Sequence, residues 1–287
     1  MMSGKLKRNL GQTLIYLVLS AWALTTIYPF FWVLINSFKD KKFIRSDTFS
    51  IPTGEQFTLD NYVTAFERVD ILSAYRTSLV ISIVVTVSVV LLAGLAAYGM
   101  ARYQFRGRRA LQSLIIASMM FPVFSTIIPV FRMMHSWGIV QFDSLPLSWL
   151  STALPQIAGN LSFAIVVLMG FIRSIPIDLE EAAYLEGYNV FQIFFKIILP
   201  LAKPSFATVS IFTFLWSYND LFTQMFFLRN KRTYSITRLL NEISSQAGTN
   251  YGLMVAAVVL VVLPVLVVYV CLQKNIIKGM TVGAVKG

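Results

Sequence analysis

Four polar side chains, Thr213, Ser217, Asp220 and Gln224, lie four, three and four residues apart inside one apolar run. On a helix that spacing places them on a single stripe. Asp220 is the only acidic residue within any apolar run of the chain, and charge in an apolar medium is costly enough to point to function. Gln156 and Asn160 form a shorter pair, four apart, in the preceding run. Such stripes can line a hydrated path of hydrogen-bond donors and acceptors. Trp216, Tyr218 and Asn219 accompany the stripe, and the two rings can pack on the C–H faces of a solute. The same polar residues serve equally well as hydrogen-bonded glue between helices. Cys271 stands alone, as does His135 in what reads as a short loop, so no disulfide, metal or thiol framework is indicated. There is also no Gly-x4-Gly-Lys-Ser/Thr segment to cradle the phosphates of ATP.

The elements that must position these groups are long and greasy. The chain of 287 residues is 56% hydrophobic, above the roughly 45–50% of a soluble domain. The excess falls in runs of about 20 residues with almost no charge, the length a bilayer requires. Six runs are evident, at 13–37, 77–100, 110–131, 149–172, 204–227 and 251–273. Lipid admits only helices or closed barrels, and these runs are too long and unbroken for barrel strands. The fold expected is therefore all-α, a polytopic membrane protein with six transmembrane helices. Pro122, Pro129, Pro155 and Pro264 interrupt the third, fourth and sixth runs. The second carries Ala93-Gly94-Leu95-Ala96-Ala97, a patch small enough to let another helix approach closely. The first run is too long for a signal-peptide core and lacks a small-residue cleavage site.

A net charge of +11 raises the question of nucleic acid. The basic residues form no stripe with interleaved aromatics, which excludes that partner class, and they suit the loops of a membrane protein. Six crossings put residues 1–12, 101–109, 173–203 and 274–287 on one side. Lys and Arg counts on the two sides nearly balance, so orientation rests on density. Lys5 to Arg8 and Arg102 to Arg109 are tight basic clusters without acids, whereas 38–76 mixes both signs evenly. Both termini are accordingly expected in the cytoplasm, with 38–76 the largest external segment and a short amphipathic helix near 61–69 within it.

The 173–203 loop carries the most patterned chemistry. Asp178 and Glu181 have capping-box spacing, with Pro176 just before them. Ala182 and Ala183 are strong helix formers, and Gly187 fits a left-handed stop. A second helix can start with Asn189 as its cap. It would present Phe191, Phe194, Phe195 and Ile198 as one apolar face, and end at Pro200 and Pro204. Local physics alone gives two short capped helices between membrane spans.

The full spacing adds more. Glu181-Ala182-Ala183, then Gly187, then Ile197-x-Leu199-Pro200 resembles the EAA loop of type I ABC-importer permeases, EAA-x3-G-x9-I-x-LP, at every fixed position and between the fourth and fifth runs. Ala97-Tyr98-Gly99-Met100-Ala101-Arg102, followed by Phe105, Gly107 and Arg108, is similar to the loop after the second span of sugar permeases. Trp216-Ser217-Tyr218-Asn219-Asp220 resembles their Trp-Asn-Asp/Glu segment, and the ending Lys278 to Gly287 that of the maltose-type, carbohydrate-uptake (MalG-like) subunit. The resemblance implies a MetI-like transmembrane domain over about 73–273, behind a first helix at 13–37. It implies a bacterial inner or plasma membrane location and a pathway shared with a second, homologous permease subunit. It also implies two ATPase subunits, an extracytoplasmic solute-binding protein and a sugar or oligosaccharide substrate. Glu181, Ala182, Ala183, Gly187, Ile197, Leu199 and Pro200 would then meet the ATPase, with Lys278, Gly279 and Lys286 of the tail. ATP and Mg would sit on the ATPase subunits and no cofactor on this chain, which would not be an enzyme. A type I permease for polyamine, phosphate or peptide is the alternative within the family. A secondary transporter would be expected to show repeats and more intramembrane charge, and a membrane scaffold would need a soluble domain.

Overall fold

The computed structural model describes residues 4–68, 70–246 and 250–284, and every regular element among them is a helix. In chain order these are α1 (Gly4–Ser37), α2 (Lys41–Ser46), α3 (Asp60–Arg68), α4 (Ile71–Arg102), α5 (Arg108–Ser118), α6 (Val123–Ser136) and α7 (Leu145–Ile172). There follow α8 (Asp178–Leu185), α9 (Val190–Ile193), a π-turn at Phe194–Ile198 and α10 (Leu199–Leu201). The chain closes with α11 (Lys203–Asn219), α12 (Leu221–Phe227), α13 (Ile236–Gln246) and α14 (Tyr251–Ala284). Among the described residues three helices, α1 from Asn9 onward, α4 and α7, are each long and apolar enough to cross a membrane. A fourth span is present if α9–α10 and α11, bent by 81° at their junction, count as one.

Two compact units divide the chain, one within residues 1–69 and 240–263 and the other within 70–239 and 264–287. In the first, the segment after α1 is tightly organised. Lys39 is fully buried, and its Nζ donates to the Asp47 carbonyl at 2.6 Å. Asn61 Nδ2 donates to the carbonyls of Ser37 and Lys39 at 3.0 and 2.8 Å. Phe38 stacks on Phe57 and tilts against Tyr62. The amphipathic helix expected near 61–69 is α3.

In the second unit α4 packs chiefly on α7 and α11. Its buried positions Ile81, Val85, Val89, Ala93 and Ala97 recur every fourth residue, one helical stripe. Opposite them lie Ala164, Leu168 and Ile172 of α7 and Phe206 and Val209 of α11, all buried. Gly94 shows why the small patch exists: a Cβ there would lie 2.8 Å from Phe206 Cε1 and 3.2 Å from Phe194 Cζ.

The apolar runs expected to be single helices are partly broken. The third is two helices, α5 and α6, because Pro122 lacks an N–H and holds the chain extended at the α6 cap. The fifth stops at Asn219 and resumes at Leu221, for a reason that lies in Asp220. The sixth continues past 273 as one helix to Ala284. His135 lies in the last turn of α6 rather than in a loop. Since Phe206 and Phe194 are buried and cannot easily give way, Gly94→Ala should destabilise the fold by about 1–3 kcal/mol. A thermal midpoint equal to that of the unaltered chain would contradict this packing account.

Candidate functional site

Helix α8 begins where Pro176 has already set the chain turning. Ile177 is helical (φ −70°, ψ −26°) and makes no side-chain cap, so Asp178 enters as the first helical residue. The expected capping box between Asp178 and Glu181 therefore does not form. Instead Asp178, Glu180 and Glu181 crowd the first turn, where the helix dipole favours negative charge. At the other end Gly187 has φ +84°. Gly187 N donates to the Tyr184 carbonyl and Tyr188 N to that of Ala183, both at 3.0 Å. That pair of bonds is a Schellman stop, and it needs the left-handed backbone glycine supplies.

Asn189 caps the next helix as expected: its Oδ1 accepts from Gln192 N at 3.0 Å while Gln192 Oε1 accepts from Asn189 N at 2.9 Å. The apolar face is only partly covered. Ile193, Phe194 and Ile198 are buried, but Phe191 is 65% and Phe195 45% exposed. The π-turn at Phe194–Ile198 adds a residue to one turn and rotates the stripe. Pro204 lies in the first turn of α11, so it starts a helix where it was expected to end one.

Of the residues matching the loop motif, Ala183 faces inward and Glu181, Ala182, Gly187 and Pro200 are exposed, with Ile197 and Leu199 half-buried. Leu185, at the helix tip, is 91% exposed. Glu180, which lies outside the motif, is nearly fully buried. Its Oε1 accepts from Arg102 Nε at 2.5 Å, and its Oε2 from the Tyr98 hydroxyl at 2.8 Å. Arg102 Nη2 also donates to the Ile175 carbonyl at 2.8 Å. Alongside, the Tyr103 and Tyr184 hydroxyls share a hydrogen bond of 2.9 Å, which pushes the Tyr184 phenol up to about 12. The Tyr98 ring packs 5.5 Å from that of Phe194. Glu180, Tyr98 and Arg102 carried no functional assignment from sequence. The signal that could have found them is the pair of adjacent acids at 180 and 181, which a helix must point in different directions.

The polar stripe divides in two. Thr213, Ser217, Gln224 and Gln156 are buried inside the second unit. Ser217 Oγ donates to Gln156 Oε1 at 2.5 Å, Gln224 Nε2 to the Ser217 carbonyl at 3.0 Å, and Ser235 Oγ to Gln224 Oε1. These bonds join α7, α11, α12 and the residue before α13, so Gln156, Ser217 and Gln224 are turned to one another, and Thr213 is buried on the same helix as Ser217. Trp216 and Asn219 are exposed. The Trp216 indole forms a cluster with Phe163 at 4.8 Å and Phe212 at 5.6 Å. Asn160, half-buried, donates to the Gln156 carbonyl one turn back. Asp220 is half-buried and helix-free, and its Oδ1 accepts from Thr223 N at 3.0 Å. The acid thus caps α12 and ends the fifth run's first helix. Lys278 and Gly279 fall in α14, and Lys286 lies outside the described residues.

Residues 89–282 match the family described as the binding-protein-dependent transport system inner membrane component. The chain belongs to this family. A permease of the diacetylchitobiose uptake system from Streptomyces coelicolor is 33% identical over 269 residues, covering 93% of this chain and 86% of that protein. A galactooligosaccharide transport permease of Bacillus subtilis is 31% identical over 287 residues, covering 99% and 98%. The trehalose transport permease SugB of Mycobacterium tuberculosis is 33% identical over 263 residues, covering 91% and 93%. In fold, the chain superposes on a bacterial ABC transporter that imports the acidic polysaccharide alginate, with a TM-score of 0.77 at 22% identity over 96% of this chain and 99% of that one. In this inner membrane transport component the EAA-type loop is thus α8 to α10, anchored on the end of α4.

If Asp220 acts through its cap, Asp220→Asn should keep the fold, since asparagine caps as well. Asp220→Ala should cost about 0.5–2 kcal/mol. Equal thermal midpoints for the two variants would contradict the capping role.

Proposed function

We propose that this chain is one of two permease subunits of an ABC importer that moves a sugar or oligosaccharide delivered by an external solute-binding protein. The carrying observation is α8 itself. Glu181, Ala182 and Leu185 stand free on its outer side, while Ala183 and Glu180 fix the inner side to the permease. A short apolar knob on a rigid base is what a cleft in an ATPase subunit can grip. Closure of an ATP-bound ATPase pair would then pull α8 and switch the pathway between inward- and outward-facing states. ATP hydrolysis belongs to those subunits, and this chain transmits the motion.

Sugar as substrate is supported by the uptake systems named for the relatives and by the resemblance of Trp216-Ser217-Tyr218-Asn219-Asp220 to the Trp-Asn-Asp/Glu segment of sugar permeases. The exposed Trp216, with Phe163 and Phe212, offers aromatic faces for sugar C–H groups, and Asn160 and Asn219 offer amides. Thr213, Ser217, Gln224 and Gln156 would hold that wall in place from behind. In the membrane we place six crossings: α1, α4, α5 with α6, α7, α11 with α12, and α14. The 101–109 and 173–203 loops and both termini then lie in the cytoplasm, consistent with the basic clusters near Lys5 and Arg106. The tail, including Lys278, Gly279 and Lys286, would reach the ATPase pair.

Two variants test the docking. Leu185→Asp places a charge on the exposed knob. Gly187→Asp forces a Cβ into backbone at φ +84°, a cost of about 1–2 kcal/mol. Both chains should insert into membranes, lose the co-purifying ATPase and show background uptake. Normal solute uptake by Leu185→Asp in membrane vesicles would refute the docking assignment.

A further inference from the structure

Glu180 and Glu181 are neighbours with opposite surroundings. Glu181 is exposed on the outer side of α8, whereas the Glu180 side chain is 5% exposed and that of Arg102, its partner, 10%. Both carboxylate oxygens of Glu180 are engaged, Oε1 by Arg102 Nε and Oε2 by the Tyr98 hydroxyl. Both donors belong to the last turn and a half of α4. Arg102 extends the junction by reaching the Ile175 carbonyl in the chain leading into α8. Around this centre lie the Tyr103–Tyr184 hydroxyl bond and the Phe194 ring, which packs on Tyr98 and on the bare face of Gly94. The charged centre, the phenol pair and the aromatic packing all join the α8–π-turn segment to one end of one helix.

We propose that Glu180 and Arg102 are positioning residues that lock α8 to the end of α4, so that a pull on α8 moves α4 directly. The proposal rests on the reading of α8 as the ATPase contact and adds the route by which force enters the membrane helices. A charged pair suits this task because it is strong only in one geometry. Paired and hydrogen-bonded it tolerates burial, but displaced by a few ångströms it leaves uncompensated charge. The junction therefore resists slippage of α8 along α4 more sharply than apolar packing alone would. The rest of the α4 stripe, from Ala97 back to Ile81, continues against α7 and α11, so displacement at Arg102 is delivered to the packed core of the second unit.

The test measures solute moved per ATP hydrolysed in proteoliposomes holding the complete importer and its binding protein. Glu180→Gln keeps the shape and removes the charge. It should retain the ATPase subunits but lower the transport-to-hydrolysis ratio by roughly fivefold or more. Exchange of the two partners, Glu180→Arg with Arg102→Glu, should raise the ratio above that of either single reversal. Should Glu180→Gln fail to fold or to insert in the membrane, Tyr98→Phe removes one of the two carboxylate bonds and leaves the ion pair, and a lowered ratio is again expected. A ratio equal to that of the unaltered complex in whichever variant folds would overturn the proposal. So would loss of the ATPase from Glu180→Gln, which would make the residue part of the docking surface. Retention of the ATPase by Leu185→Asp would instead overturn the docking reading and leave the Glu180 measurements to stand on their own.

Discussion

An eight-residue helix cannot hold itself together in water, so α8 depends on what fastens it. Its C-terminal end is closed by the Schellman bonds at Gly187 and Tyr188, and its inner side by Glu180 on Arg102 and Tyr98. Burying a carboxylate and a guanidinium costs several kcal/mol per ion. That cost is offset here by good geometry and by extra bonds to a phenol and a backbone carbonyl. With the inner side so held, the outer side is free to present Leu185 to another protein.

The same economy of contacts governs the membrane helices. Gly94 lets two aromatic rings, one from the loop and one from α11, meet on α4. A residue with any side chain would separate the loop from the helix it is tied to. Farther along, the buried amides and hydroxyls of Gln156, Ser217, Gln224 and Ser235 bond to each other. Inside lipid such groups have no water to fall back on, so these bonds within the chain fix how α7, α11 and α12 stack. The exposed aromatic cluster at Trp216 is thereby held in a defined place.

Much of this was legible beforehand. Gly187, Asn189 and the small patch at Gly94 were readable because each acts through local backbone geometry or through the absence of a side chain. The third run's break was harder to read, because membrane helices tolerate proline and only the packing decides whether one kinks or stops. The cap at Asp220 was not legible, for a physical reason. Charge in an apolar run suggests a pathway group, and nothing in the local pattern shows that the acid also caps a new helix. The π-turn at Phe194–Ile198 is invisible to a 3.6-residue period. Glu180 escaped notice altogether, since its partner lies 78 residues away and only tertiary structure brings the two together.

The central claim is that α8 and the end of α4 move as one piece. Its most direct measurement is the distance between spin labels at Leu179 of α8 and Leu91 of α4, both exposed positions outside the proposed docking knob, in an assembled importer whose Cys271 has been replaced. The account predicts one unchanged distance distribution in the nucleotide-free and ATP-bound states, while solute uptake continues. A distribution that shifts or splits on ATP binding would show α8 sliding on α4 and would contradict it.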